Sequence, residues 1–373
     1  MTTLSPTSRT SPRAAIHTAH RLLPSEAQPL SARPPSCGIV VLPALTMINR
    51  NDAMVHCCAD CGIVAGEGVS LKACKSCMIV KYCSVNCQRN HWPKHKKECK
   101  QRAAELRDEA LFKDPPAKED CPICFLPMPL LLISCMSLPP ATISSVPIYD
   151  YAEANEELAN MSAEVFYECC GKSMCKGCAH SFNESGNSGK CPFCNERSIG
   201  KTDEEDVEEM MKRVEANDAG AMTALGNSYH LGEHGLLQDR EKALELWKQA
   251  AELGSSKAHY RLGRIYDEGG DMKKVKFHYE AAAMAGDEAA RNNLGTMEAQ
   301  SGNMERAVKH WMISASAGHC SAMDNLLIAF NKGLVSRNAM DSSLTAYNNA
   351  CAEMRSEARD ALIRLLIDRF DES

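Results

Sequence analysis

From about Ala216 to the end of the chain, small and large apolar residues alternate with polar ones at helical spacing, and the pattern recurs as a block. Trp247, Tyr279 and Trp311 are separated by 32 residues, as are Gly254, Gly286 and Gly318, and Ala258, Ala290 and Ala322. Leu262-Gly263, Leu294-Gly295 and Leu326-Leu327 keep the same step. An earlier unit starts at Ala221 with Leu225-Gly226 and a longer loop, Glu233–Gln238; a later one, stretched to 36 residues, places Ala358 and Leu362 in register. Each unit predicts two helices. The first reads A-x3-L-G, as in Ala258 to Gly263, and the second A-x3-W-x2-A, as in Ala243, Trp247 and Ala250. A glycine then supplies the left-handed residue that stops a helix. Ala and Gly let helix backbones approach closely, while the large residue fills the gap between neighbouring units. One unit buries too little by itself, so the units are expected to stack into a solenoid with a continuous core. The aromatic positions, Cys320 and Cys351 belong to that core in this reading, and His230, His234, His259 and His310 show no ligand pairing. Ahead of the array, Thr202-Asp-Glu-Glu205 is a capping-box pattern, with the acids of Asp203–Glu209 favourably placed at a helix start.

The first half of the chain lacks this periodicity. Residues 1–36 are rich in Ser, Thr, Pro and Ala, with Arg9, Arg13, Arg21 and Arg33 and the single acid Glu26. That composition predicts a disordered tail; organellar targeting is the less favoured reading. Ile39–Leu45 is too short to span a membrane. A helix is expected through Arg102–Phe112, ended by Pro115 and Pro116, which mark a linker. Lys94, Lys96, Lys97, Lys100 and Arg102 read as its solvated face. Further on, the insertion Phe125–Glu168 contains an apolar stretch, Leu130–Leu138, and a polar segment, Tyr151–Glu164, with the composition of a short helix. Cys135 lies there alone, as a buried thiol rather than a ligand.

Cysteine changes this picture most. Of 20 cysteines, seventeen fall between Cys57 and Cys194, which argues for local metal sites rather than a disulfide framework spread along the chain. Eight potential zinc ligands come as four close pairs: Cys58/Cys61, Cys74/Cys77, Cys83/Cys87 and His95/Cys99. A two-residue gap folds into a knuckle with both thiolates on one ion, and a three-residue gap on a helix puts i and i+4 on one face. Four such pairs make two closed tetrahedral sites with no open position for substrate or water, the mark of structural zinc. Spacing alone does not say which pairs share an ion. A second cluster opens at Cys121-Pro-Ile-Cys124, resumes at Cys169-Cys170-Gly-Lys-Ser-Met-Cys175-Lys-Gly-Cys178 and closes at Cys191-Pro-Phe-Cys194. Metal-bound thiolates favour a reducing compartment, cytoplasm or nucleus. The formal charge of −6 divides as +4 for residues 1–50, +4 for 51–113, −6 for 114–200 and −8 for 201–373, which disfavours nucleic acid as a partner. No apolar run reaches membrane-spanning length, so no membrane partner is expected.

The first cluster resembles the MYND zinc finger: C-x2-C, C-x2-C, Tyr82 before the fifth Cys, C-x3-C-Q, Trp92, and H-x3-C. In that family the pairs interleave. The resemblance implies Cys58, Cys61, Cys83 and Cys87 on one zinc, and Cys74, Cys77, His95 and Cys99 on the other, with Cys57 the alternative to Cys58. It also implies binding of proline-rich peptides in a groove lined by Gln88 and Trp92. The second cluster resembles a RING finger, with Ile123 at the contact residue for a ubiquitin-conjugating enzyme. By that resemblance Cys121, Cys124, Cys175 and Cys178 hold one zinc, and Cys191 and Cys194 hold another with two middle ligands. Here the chain departs from the family: the usual Cys-x-His aligns with Cys170-Gly-Lys172, and a protonated Lys does not ligate zinc. Cys169 is the expected substitute and His180 the reserve. Asn195 follows the last Cys, where an active ligase often carries Arg. The C-terminal units resemble Sel-one-like repeats, relatives of tetratricopeptide repeats, which implies protein binding on a concave face.

The expected fold is multidomain: a disordered tail (1–52), two small zinc-stabilised cross-brace modules (a MYND-type finger with its helix, 53–113, and a RING-like finger with a long insertion, 114–200), and an all-α helical-repeat solenoid (201–373). The expected cofactor is zinc, four ions, two per finger, and no catalytic residue is assigned. The favoured function is a protein-interaction scaffold. The alternative is a RING-type ubiquitin-protein ligase whose repeats select substrates. A methyltransferase of the kind that pairs a MYND finger with a SET domain is disfavoured, because the repeats occupy the space a cofactor-binding domain would need.

Overall fold

The computed structural model describes residues 57–66, 68–128, 162–197 and 201–371. The expected tail, the segment Leu130–Leu138, Cys135 and most of Tyr151–Glu164 lie outside them. Contacts divide the chain into two compact units, Met1–Ala103 and Ala104–Ser373.

In the first unit, β1 (Lys72–Ala73) pairs antiparallel with β2 (Lys81–Tyr82), Lys72 opposite Tyr82. The helix α1, Val85–Leu111, begins in this unit, and from Ala104 on its residues belong to the second. The buried residues here are Cys57, Cys58, Cys74, Cys77, Tyr82, His95 and Cys99, so cysteine and histidine side chains, rather than aliphatic ones, make the core. Cys83 precedes the helix rather than lying on it; Ser84 sits between, its Oγ accepting from the Cys87 amide at 3.2 Å.

The second unit opens with a hairpin, β3 (Glu164–Tyr167) against β4 (Lys172–Cys175), Tyr167 opposite Lys172. The helix α2 (Lys176–Phe182) and a single π turn, Asn183–Asn187, follow. Ten helices then complete it: α3 (Asp203–Glu215), α4 (Ala219–Leu231), α5 (Arg240–Glu252), α6 (Ser256–Glu268), α7 (Met272–Met284), α8 (Glu288–Gln300), α9 (Met304–Ser316), α10 (Cys320–Asn331), α11 (Arg337–Glu353) and α12 (Glu357–Asp371). The capping box forms: the Glu205 amide donates to Thr202 Oγ1 at 3.3 Å, and the Thr202 amide to Glu205 Oε2 at 2.9 Å.

The repeat pattern is realised as helix pairs. Ala258, Ala290 and Ala322 are fully buried, as are Leu262 and Leu326. Gly254, Gly286 and Gly318 adopt φ of 90°, 96° and 88°, values that cost an L side chain and suit the helix stop. Trp247, Tyr279 and Trp311 are buried, and each lies against a glycine of the preceding helix: Gly226, Gly263 and Gly295. A Cβ on Gly226 would stand 2.6 Å from the Trp247 ring nitrogen, so the ring occupies the volume that glycine vacates. The large residue therefore fills a gap inside its own unit, and only then meets Ala258 and Leu262 of the next.

The last unit departs from the sequence register. Ala358 and Leu362 are only half-buried, whereas Arg359 and Ile363 are 1% and 4% exposed. A rotation of one residue, about 100° around the helix axis, turns α12 away from the repeat pattern. What it faces instead is the second cysteine cluster.

Candidate metal centres and recognition surfaces

Four of the five C-x2-C pairs adopt one local fold; the fifth, Cys175/Cys178, caps and enters α2 instead. In each of the four, the residue after the second Cys has positive φ: Gly62 (74°), Met78 (60°), Phe125 (57°) and Asn195 (60°). Its amide donates back to the first Cys carbonyl, at 2.9, 2.9, 2.8 and 3.0 Å. The first Cys amide is in turn taken by a carbonyl beyond the turn, Ile63, Val80, Leu126 or Glu196, at 2.8–2.9 Å. Asn195 thus has a local reason to stand where it does, since Asn tolerates the left-handed region better than most residues. The glycine after Cys61 is the one trace of this geometry in the sequence.

The knuckles bring ligands together in four sets: Cys58, Cys61, Cys83 and Cys87; Cys74, Cys77, His95 and Cys99; Cys121, Cys124, Cys175 and Cys178; and Cys169, Cys170, Cys191 and Cys194. Within each, the ligand atoms all lie within 4.8 Å of one another. The sets interleave. Cys61 Sγ is 3.5 Å from Cys83 Sγ, Cys74 Sγ 3.7 Å from Cys99 Sγ, and Cys77 Sγ 3.2 Å from His95 Nε2. In the second cluster Cys124–Cys175 is 4.0 Å, Cys170–Cys191 3.6 Å and Cys194–Cys169 3.4 Å. Zinc–sulfur bonds of about 2.3 Å in a tetrahedron put sulfurs about 3.8 Å apart, and a disulfide would put them at about 2.05 Å. The sets fit a zinc-sized ion and no disulfide.

Their electrostatics point the same way. Burial alone would push the Cys58 and Cys74 thiols up. Amide hydrogens outweigh it, from Cys61 and Cys83 for one and from Cys77 and Ser76 for the other, bringing both down to about 6. Burial and the neighbouring Cys74 and Cys77 push Cys99 up to about 12. One thiolate forms readily and opposes the next, a conflict that a dication at the centre removes.

Cys58, not Cys57, belongs to its set, and the adjacent pair Cys169/Cys170 supplies the middle positions without His180. The tight β3–β4 loop makes this feasible: Gly171, φ 66°, donates to Tyr167 O at 2.8 Å and turns two successive thiols toward one point. Lys172, at the usual histidine position, places its ammonium 5.5 Å from the Phe193 ring centre. Tyr82 is buried with its hydroxyl 3.0 Å from His91 Nδ1.

The candidate recognition residues lie beside these centres without being ligands. Trp92 is 40% exposed and meets the His95 ring edge-on at 6.5 Å; Gln88 is half-buried, its amide directed at Cys74 Sγ from 4.0 Å. Ile123 and Phe125 are 45% and 76% exposed.

Sequence reasoning missed a docking of the chain on its own repeats. Leu111 is 1% exposed, and the buried Arg291 donates to its carbonyl at 2.8 Å. The Phe112 ring centre lies 4.7 Å from that of His310, tilted by 45°, and beneath the Arg306 guanidinium. Arg107 pairs with Glu280, Asp108 with Arg306, and Lys118 with Glu288 at 2.6 Å. Residues 107–118 thus cover the face of α7, α8 and α9. The buried charges Glu280, Glu288 and Arg291 look like ordinary helix-surface residues in a sequence; their partners lie some 170 residues away.

Comparison with known families gives a MYND finger over residues 58–99 and Sel1 repeats over 219–255 and 256–287. The chain is 35% identical over 60 residues to the histone-lysine N-methyltransferase SMYD3 of Homo sapiens, covering 14% of each chain. It is 53% identical over 34 residues to a SET and MYND domain-containing protein of Dictyostelium discoideum, covering 9% of this chain and 6% of that one. Only a small part of either curated relative is spanned. Similar solved structures include a Sel1 repeat protein from Oxalobacter formigenes, 22% identical over 49% of this chain and 74% of that one, TM-score 0.37. Another is the SLR-fold antigen c5321 of uropathogenic Escherichia coli, 23% identical over 52% and 44%, TM-score 0.34. The chain is a zinc-binding protein built of a MYND finger, a second cysteine cluster and Sel1 repeats, modules of protein interaction. Among the described residues no helix is long and apolar enough to cross a membrane.

Proposed function

We propose that the protein is an adaptor whose MYND finger captures proline-rich peptides on Trp92 and Gln88, while zinc acts only as structural support. Four ions are held by the four sets, fifteen thiolates and His95, and every set offers four protein ligands. Bound zinc supplies folding energy, on the order of 10–16 kcal/mol per structural site in small peptides. The side chains do the recognising. The observation that supports this reading is Trp92, which is 40% exposed in a unit whose other large ring of the motif, Tyr82, is buried at 3%. A flat indole face beside an amide suits a proline ring and its carbonyl. The array serves as a docking platform on surfaces other than the α7–α9 face, which its own chain covers. The test is titration of the full chain with proline-rich peptides, read by isothermal calorimetry, which does not depend on Trp92 as the probe. Trp92→Ala should abolish binding with zinc content unchanged; equal binding by the variant would remove Trp92 and the groove from consideration.

The exposure of Ile123 beside Phe125 favours a second reading, a RING-type ligase docking a conjugating enzyme on the Cys121–Cys124 knuckle. It carries no covalent chemistry of its own and would orient a thioester for attack. Autoubiquitination by the full chain with a panel of conjugating enzymes, lost on Ile123→Ala, would place this reading first; inactivity with the whole panel would retire it.

A further inference from the structure

The second cysteine cluster touches the helical array at both ends. At the start, Gly171 lies against the Arg213 guanidinium of α3, where a Cβ would collide with it. The Phe166 ring of β3 stands 3.3 Å from where a Cβ on Gly220 would be, at the first turn of α4, and Glu164 pairs with Lys257 of α6. At the far end, α2 crosses α12 backbone to backbone. A Cβ on Gly177 would be 2.7 Å from the backbone nitrogen, Cα and Cγ of Arg359. Beside this crossing, Ala163 is buried with Cys351, Met354 and Ile363.

Arg359 itself is the residue that breaks the repeat register, and it is 1% exposed. One terminal nitrogen donates to Pro127 O at 2.9 Å and to Met354 O. The other donates to Leu126 O at 3.4 Å and to Cys124 Sγ at 3.5 Å. A guanidinium has five donors in a rigid plane, accepts nothing and stays charged when buried. Four thiolates around a dication leave a net charge of about −2, so a buried cation beside one sulfur finds its counter-charge there. The Leu126 carbonyl it engages is the one that closes the Cys121 knuckle, receiving the Cys121 amide at 2.9 Å.

We propose that Arg359 is a positioning residue of the centre formed by Cys121, Cys124, Cys175 and Cys178, and that this cluster clasps the first and last helices of the array. Metal retention and the docking of α12 are then one equilibrium, although the ligands and Arg359 lie more than 180 residues apart. The proposal rests on the reading that this set holds zinc.

The test uses the full chain, loaded with zinc and counted by native mass spectrometry, then challenged with excess chelator. Cysteines are tracked by alkylation as ions leave. Arg359→Met keeps the bulk and removes the charge and donors; Arg359→Lys keeps the charge and loses the fork. The wild type should carry four ions. Arg359→Met should release one ion about 10–100-fold faster, the scale of lost outer-shell support, with Cys121 and Cys124 alkylated first and Arg359→Lys intermediate. Should Arg359→Met fail to fold, amide exchange on Cys121→Ser gives the reciprocal reading: α12 should lose protection while α7–α9 keep theirs. Unchanged release in Arg359→Met, or undisturbed α12 in Cys121→Ser, overturns the clasp. A wild-type chain with only two ions overturns the zinc reading first and the clasp with it, so the two failures are told apart.

Discussion

The MYND finger and the helical array solve the same problem with opposite materials. In residues 57–103 the buried side chains are those of the ligand sets, apart from Cys57 and Tyr82. In the array the apolar core is built mainly of alanines, leucines, methionines and aromatics packed across helix pairs, with buried charges such as Glu280, Glu288 and Arg291 at its covered face. A module this small cannot exclude enough apolar surface to order itself, whereas stacked units add to one core indefinitely. The second cluster lies between these extremes. Its centre combines Cys121, Cys175 and Cys178 with Met174 and Ala179, and it leans on helices at each end of the array. The lesson is that a zinc knuckle is a local device, indifferent to whether an ion or a helical framework provides the rest of the support.

Chelation gives the largest expected effect. Stripping zinc from the full chain should abolish amide protection throughout residues 57–103 while α5–α9 remain protected, as read by hydrogen exchange. Cooperative loss of both together would break the comparison, since it would make the array depend on metal as much as the finger does.

Acid should then separate the array from an ordinary carbon core. Burial, with Arg291 and Arg306 nearby, holds His310 down to about 3; burial also holds His319 down to about 4, and burial with His259 holds His278 down to about 4. These folded values lie below the ordinary 6.5, so the folded array binds fewer protons than the unfolded chain. The stabilisation from neutral histidine is complete above pH 6.5 and is lost as pH falls toward 4 and 3. Glu298 adds to this. Burial would raise it, but Lys276, Asn303 and Arg306 hold it at about 2, so its contribution is complete above about 4.5 and fades from there to 2. The melting temperature of α5–α9, followed by circular dichroism, should fall steadily below pH 6.5, and His310→Leu should flatten part of that slope. A constant melting temperature from pH 7 to 4 would mean these histidines take protons without opening the core.

The smallest effect lies in the knuckles. Met78 is 64% exposed at φ 60°, a conformation costing a side chain about 1 kcal/mol, partly offset by the entropy glycine loses on folding. Met78→Gly should therefore slow zinc release slightly, by a few-fold at most, and Gly62→Ala should speed it by a similar factor. Equal and opposite results would show that the knuckle conformation, rather than the side chain, sets metal retention.

The sequence by itself determined the local and the periodic. Cysteine spacing marks the knuckles because each closes within five residues, and the 32-residue step marks the helix pairs because every unit meets the same neighbour in the same way. Even the capping box at Thr202 was legible, since its partners are three residues apart. Spacing left open which pairs lie together, and the resemblances only implied it; the tertiary structure brings each set of four together, Cys169 and not His180 among them, and settles Leu111 and Phe112 on the array's own face. It alone turned Arg359, and not Ala358, inward. Each of these outcomes depends on groups brought together from far along the chain, where neither spacing nor periodicity carries information about who meets whom.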